Sequence, residues 1–199
     1  MTLVSSLSLI IFFYVIGSLP FALIFTKLFG LGDIRKVGSG NVGATNVLRT
    51  GNKFVAFIVL CFDIFKGFLP FLILQIYFQD ISLFSKILLC HFAILGHIYP
   101  FWLKFKGGKG VATYLGILFA VNIPFGLVFI ISWLITFGLS KFSSLSSLVA
   151  SISIPIYLLI LTQFDQVIFF TIMFVLIFFT HRENIKRLKN KEETKTKIY

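Results

Sequence analysis

Residues 3–26 read LVSSLSLIIFFYVIGSLPFALIFT, 24 residues without a charge, interrupted near the end by Gly17 and Pro20. A helix needs about 20 apolar residues to cross a bilayer. No basic residue precedes the run and no small-residue cleavage site closes it, so it reads as a span and not as a cleaved signal. Further apolar runs follow at 54–77, which embeds Asp63 and Lys66, and at 83–103. Residues 111–139 are broken at Asn122 and Pro124 and read as two shorter spans with a tight turn, and runs at 145–161 and 167–180 complete the set. Composition agrees with this reading. The 199 residues are 58% hydrophobic and 13% charged, with a mean hydropathy of +1.00. A soluble domain of this size runs nearer to half apolar and a quarter charged. A soluble globular enzyme, a disordered chain and a disulfide-stapled secreted module are thereby excluded. Cys61 and Cys90 lie within apolar runs without CxxC spacing and read as packing residues. The fold expected is an all-α integral membrane protein with seven transmembrane helices, a single domain over 1–199 whose residues 186–199 form a polar cytoplasmic tail.

The net charge of +11 sets the orientation. With seven spans, one side of the membrane receives Lys27, Arg35, Lys36, Arg49 and Lys53, then Lys104, Lys106 and Lys109, then Lys141. Arg182, Lys186, Arg187, Lys189, Lys191, Lys195 and Lys197 fall on the same side, making 16 of the 18 basic residues. The positive-inside rule makes that side cytoplasmic, with the N-terminus outside and the C-terminus in the cytoplasm. A basic balance of this kind is explained by topology, and no nucleic-acid partner is expected.

The large cytoplasmic segments are too rich in particular side chains to be plain connectors. Residues 30–51 hold six glycines, two asparagines, a serine, two threonines and two arginines. Glycines let successive N–H groups converge on an anion, while hydroxyls and guanidinium groups add donors of fixed reach. Gly38 to Gly43 satisfies GxGxxG, but no strand precedes it, so a dinucleotide fingerprint fails its own context test. Residues 96–113 carry Gly107, Gly108 and Gly110 around Lys109 and run straight into a helix, which reads as a phosphate-binding helix start, with Lys104 and Lys106 on its rim. At the end of the last span, His181 and Asn184 share a helix face at i, i+3, and Glu183 and Arg187 at i, i+4, a set suited to proton handling and substrate orientation. The run Lys141-Phe-Ser-Ser-Leu-Ser-Ser147 adds hydroxyls on the same side. Asp63 and Lys66, three apart inside a span, read as an ion pair facing the protein interior or as a headgroup contact. No acidic cluster for Mg²⁺, thiolate set for Zn²⁺ or GxSxG is present in the sequence. Together these segments describe a cytoplasmic-face site for phosphorylated ligands, at least one with a lipid tail. A transporter of phosphorylated metabolites is the alternative. It predicts polar residues on both faces or symmetry-related broken helices, and neither is visible here.

At these motifs the sequence resembles the bacterial acyl-phosphate-dependent glycerol-3-phosphate acyltransferases, the PlsY family. The likeness spans nearly the whole chain. It rests on Gly17-Ser-Leu-Pro20, on GSGNxGATNxxR from Gly38 to Arg49, on Asp63-Ile-Phe-Lys-Gly67, on GHxxPxxLxFKGGKGVAT from Gly96 to Thr113, and on His181-Arg-Glu-Asn-Ile185. The resemblance implies transfer of a fatty acyl group from acyl phosphate to the 1-hydroxyl of glycerol 3-phosphate at the bacterial inner membrane, giving lysophosphatidic acid and phosphate. It also implies functional coupling to the phosphate acyltransferase that makes acyl phosphate. Carried over residue by residue, it makes Ser39, Arg49, His181, Asn184 and Glu183 catalytic. Gly38, Gly40, Asn41, Thr45 and Asn46 are then substrate-binding around Ser39. Lys104, Gly107, Gly108, Lys109 and Gly110 shape the glycerol 3-phosphate site, and Ser144 or Ser146 completes the phosphate pocket. No cofactor is expected, because the acyl donor carries its own activation.

Overall fold

A computed structural model describes residues 2–196, so Lys197 and the last residues of the expected tail lie outside the described residues. Every regular element among the described residues is helical. The chain forms two compact units, Met1–Val121 and Asn122–Tyr199.

The first unit contains α1 (Leu3–Ser18), α2 (Phe21–Leu28), α3 (Ala44–Leu48), α4 (Lys53–Tyr77), α5 (Leu83–Ile98) and α6 (Val111–Val121). Polar caps start the long helices: Thr2, Asn52 and Ser82 each accept an N–H from the first turn of α1, α4 and α5. Pro20 breaks the first span after Ser18, and Pro100 ends α5 before a 3₁₀ turn at Phe101–Leu103. Two helix pairs carry the packing, α1 with α5 and α4 with α6. In each, glycines lie directly on the partner's backbone. A Cβ at Gly17 would fall on the Ala93 carbonyl and one at Gly96 on the Tyr14 carbonyl. The second pair repeats the device, with Gly67 against the Thr113 carbonyl and Gly116 against the Ile64 carbonyl. Lipid offers helices no hydrophobic reason to associate, so close backbone approach through small residues supplies the contact area instead.

The second unit contains α7 (Ile123–Ser140), α8 (Ser143–Ile160), α9 (Phe164–Thr180) and α10 (Arg182–Lys189). Its core is aromatic, with the buried Phe125 ring edge-on to Phe170 at 6.0 Å and to Tyr157 at 6.2 Å. Along α8, Ser146, Ser147 and Ser151 donate their hydroxyls to carbonyls four residues back, which hides three polar groups inside an apolar helix. Large apolar side chains stand exposed on every long helix of both units, among them Phe57, Leu139 and Val175, an arrangement suited to lipid and costly in water.

Five helical segments are long and apolar enough to cross a membrane: 3–28, 53–77, 83–103, 123–140 and 143–160. A sixth appears if α9 and α10, bent by 62°, count as one. The remaining expected span, α6, has only 11 residues, which at 1.5 Å each covers about 16 Å, roughly half the hydrocarbon core. The break at residue 122 therefore falls where the sequence placed it, but it leaves α6 short.

Replacing Gly116 or Gly17 by leucine will force helices apart that have no room to move, at a cost near the upper end of the ~1–3 kcal/mol typical of overpacking. Gly138→Ala, where an added methyl meets nothing within 4 Å, will leave stability unchanged or slightly raised. Thermal unfolding in detergent checks both.

Candidate active site

The loop between α2 and α3 is organised by one buried side chain. Asn46, 1% exposed, donates its amide protons to the carbonyls of Ile34 and Val37, both at 2.9 Å. Because both amide hydrogens face carbonyls, the orientation of the amide follows from its partners. Its oxygen accepts the Ser39 N–H at 3.2 Å and an Arg49 Nη1–H at 3.3 Å, with the Ser39 hydroxyl at 3.5 Å. Gly38, at φ 53°, sits against Arg49, and a Cβ there would lie 2.6 Å from both Arg49 Cδ and Asn46 Oδ1. Gly40, at φ 69°, turns the chain back so that its N–H reaches the Val37 carbonyl at 2.9 Å. Thus Gly38, Ser39, Asn46 and Arg49 are brought together, with Ser39 exposed and Thr45 and Asn41 half-buried nearby in the chain. Arg35 belongs elsewhere. It chelates Asp33 at 2.7 Å, and that hydrogen bond holds the Asp33 carboxyl down at about 2. Beneath the loop, Ala22, Ile34, Val42, Val47 and Val55 form its own apolar floor.

The glycines of the second motif answer to packing. Gly107 N–H donates to the Ile98 carbonyl and Gly108 N–H to the His97 carbonyl, both at 3.0 Å. A Cβ on Gly108 would run into the His97 imidazole, and one on Gly107 into the His97 carbonyl and the Pro100 ring. Those two N–H groups are therefore committed within the chain. In the expected phosphate-binding helix start of Gly107, Gly108 and Gly110, these two glycines thus shape the turn. Gly110, at φ 85°, turns the chain into α6 beside Ile94 and Ile98. Lys104, in a left-handed conformation at φ 51°, is exposed, and Lys109 is half-buried. Under this loop lies a narrow cleft with room for about 10 Å³, lined by Leu19 and Pro20, Asp63, Lys66, His97 and Gly107–Gly108. The first loop reaches the same cleft through Val42.

In the second unit, the set expected at the end of α9 assembles around a residue that sequence reasoning missed. Glu193 Oε1 accepts from Ser144 Oγ and Asn184 Nδ2, and Oε2 from Arg187 Nε, all at 2.7 Å. Arg187 thus pairs with Glu193, ten residues beyond the Glu183 that the i, i+4 spacing suggested, while Glu183 is exposed. Burial pushes the Glu193 carboxyl up, but the bonds from Ser144, Arg187 and Asn184 outweigh it and hold the group below its usual range. Only its place in a Lys/Glu/Thr tail could have flagged it, and such tails are ordinarily solvated. Of the two candidate serines, Ser144 joins this cluster and Ser146 spends its hydroxyl on the Phe142 carbonyl at 2.8 Å. His181, 3% exposed at the α9–α10 bend, has Nδ1 2.8 Å from the Ile177 carbonyl. A carbonyl only accepts, so Nδ1 carries a proton.

Asn46→Asp will set a carboxylate oxygen against two carbonyls and loosen the loop, read as faster amide exchange at Ser39 and a lower melting temperature. The lowered Glu193 pKa contributes stability present above its ordinary value of 4.5 and lost as pH falls through the lower folded value. Glu193→Gln will therefore flatten the acid limb of the stability–pH curve and weaken the tail at neutral pH.

The family model described as glycerol-3-phosphate acyltransferase matches residues 7–191. A glycerol-3-phosphate acyltransferase of Pelagibacter ubique (strain HTCC1062) is 59% identical over 186 residues, covering 94% of this chain and 95% of that one. One from Brucella anthropi is 46% identical over 195 residues, covering 98% and 94%. Two crystal structures of PlsY (YgiH), an integral membrane glycerol 3-phosphate acyltransferase, share the fold. The glycerol 3-phosphate form superposes with a TM-score of 0.88 at 39% identity, covering 96% of this chain and 95% of that one. The lysophosphatidic acid form gives 0.86 at 38% over the same shares. By fold, by motif and by descent, the chain belongs to the PlsY family of membrane glycerol-3-phosphate acyltransferases.

Proposed function

We propose that the protein transfers a fatty acyl group from acyl phosphate to the 1-hydroxyl of glycerol 3-phosphate, releasing phosphate and lysophosphatidic acid. The reaction runs at the cytoplasmic face of the bacterial inner membrane, in a single domain of seven membrane segments with the N-terminus outside. The observation that carries the reading is the convergence of Ser39 and Arg49 on Asn46, which sets a hydroxyl beside a guanidinium on a glycine-turned loop. The basic asymmetry of the chain supports the orientation. The acceptor and product of the reaction are the molecules named for the two PlsY forms. Family membership removes the ground for the transporter alternative.

The acyl carbon of an acyl phosphate is already activated, so the protein has to bind two anions, align them and exclude water. Arg49 offers a planar fork matched to phosphate oxygens, and Ser39 a hydroxyl donor for the phosphoryl group, with Gly38, Gly40, Asn41 and Thr45 shaping the loop around it. Lys104 and Lys109 add positive charge for glycerol 3-phosphate beside the Gly107–Gly110 loop. The glycerol oxygen forms the new ester bond as the bond from the acyl carbon to the phosphate oxygen breaks, and phosphate leaves with the bonding pair. The hydroxyl proton passes to a base, and the motif at the end of α9 supplies His181 for that role, with Asn184 to orient substrate. Glu183 stands in solvent and is the weaker candidate for that role. Ser39 acts as a donor and not as a nucleophile, because its recorded neighbour is an amide oxygen, which is no base for a hydroxyl. Upstream, the reaction depends on the phosphate acyltransferase that makes the donor.

Purified protein given palmitoyl phosphate and glycerol 3-phosphate will release phosphate and form lysophosphatidic acid only when both are present. Acyl-CoA and acyl-carrier protein serve as parallel donors, and activity with either alone overturns the donor assignment. Ser39→Ala and Arg49→Lys will each lower turnover by about 10²–10³, the scale for losing one fixed donor to a developing charge. Trapping of an acyl group on Ser39 would refute the direct attack.

A further inference from the structure

The motifs discussed so far leave one buried constellation without a task. Asp63 and Lys66 form a 2.8 Å ion pair whose side chains are each 3% exposed. Lys66 also donates to the Leu19 carbonyl at 3.1 Å and lies 5.6 Å above the Phe21 ring. Leu19 is the residue at which Pro20 breaks the first span, and such a break leaves carbonyls without helical partners. Trp102 deals with the neighbouring one, donating Nε1–H to the Ser18 carbonyl at 2.7 Å. On the other side of the pair, Asp63 Oδ1 stands 3.7 Å from His97 Nδ1, an electrostatic contact too long for a hydrogen bond. The far edge of that imidazole is the surface on which Gly108 rests, and the His97 carbonyl holds the Gly108 N–H.

We infer that Asp63, Lys66 and His97 are a positioning network that fixes the Gly107–Gly110 loop against the broken first helix and so sets affinity for the phosphorylated acceptor. The inference rests on the proposed reaction. Its physical core is charge balance in a low-dielectric interior. With the pair intact, Asp63 is neutralised by Lys66 and leaves the imidazole where the glycine loop packs. With Lys66 removed, Asp63 loses its counter-ion, and burial drives it to take up a proton or to turn toward His97 at 3.7 Å; each response changes the contact beside the ring. The ring cannot move without carrying Gly108, because no side chain separates the two. Lys109 and Gly110 follow in the chain, so a shift at Gly108 is passed directly to the loop assigned to glycerol 3-phosphate. Ser39 and Arg49 converge on Asn46 in a separate loop, so binding of the acyl donor serves as the internal control.

The test is steady-state kinetics of the full chain in detergent, with the two substrates varied separately. Lys66→Met will raise KM for glycerol 3-phosphate by about tenfold or more, the scale of a small misplacement in a site, while kcat and KM for palmitoyl phosphate stay within about twofold. Lys66→Arg, which keeps charge and donors, will behave like the parent. The neutral double variant Asp63→Asn with Lys66→Met will return KM to within about threefold of the parent. It will also melt at a lower temperature, since the Leu19 carbonyl loses the Lys66 donor and keeps only the Phe21 N–H. A recovery of KM alongside a loss of stability cannot come from a merely structural role. His97→Ala, which keeps the pair and removes the surface under Gly108, supplies the same reading if Lys66→Met does not fold, and it will raise the same KM. Unchanged KM in Lys66→Met and His97→Ala, or an equal fall in all parameters, overturns the inference while the reaction stands. A parent protein that forms no lysophosphatidic acid from any donor overturns the reaction and the inference together.

Discussion

In lipid, two helices gain nothing by hiding apolar side chains from each other, since the acyl chains are equally apolar. The first unit therefore depends on backbone-to-backbone contact at four glycines. Gly17 and Gly96 seat α1 on α5, and Gly67 and Gly116 seat α4 on α6, each placing its Cα against a carbonyl of the partner. The contacts are reciprocal within each pair, so register and rotation are set together. The buried polar residues Ser18, Asp63, Lys66 and His97 sit beside these contacts. They lie on the same helices, within a few residues of the glycine contacts.

The polar parts obey a second rule, that an irregular backbone must find partners for its own groups. The helix break at Leu19–Pro20 is answered by Lys66 and Trp102, the first glycine loop by Asn46, and the Gly107–Gly108 turn by the carbonyls of His97 and Ile98. In the second unit a carboxylate has the equivalent task. Glu193 gathers Ser144 from the start of α8 and Asn184 and Arg187 from α10, and the Thr196 N–H reaches the Lys141 carbonyl at 2.9 Å. The tail is thus bound along part of its length, where a polar, charged composition suggested a solvated extension.

Much of the site was legible because its chemistry demands particular residue types at short spacing. Gly38, Ser39, Asn46 and Arg49 fall within 12 residues, and a short helix folds that segment on itself whatever surrounds it. His181 and Asn184, three residues apart across the α9–α10 bend, are both buried. What could not be read were relations between distant residues. The i, i+4 spacing offered Arg187 a partner in Glu183, but Glu193 arrives from beyond the helix end with two further donors waiting, and a half-buried carboxylate with three donors outcompetes an exposed pair. The glycine triplet at 107–110 reads as a phosphate-binding helix start, and a list of residues does not show that the N–H groups of Gly107 and Gly108 have carbonyl partners.

The sequence by itself determined the solvent, the helical class, the breaks at Pro20 and Asn122, and the side of the chain on which its basic residues gather. These follow from hydropathy, period and proline, which act over a few residues. The tertiary structure alone decided that Asp63, Lys66 and His97 form one network under the glycine loop, that Ser144 and not Ser146 joins Asn184, and that Glu193 holds them. Those outcomes depend on which backbone carbonyls are left without partners once the helices have packed, and no local pattern encodes that.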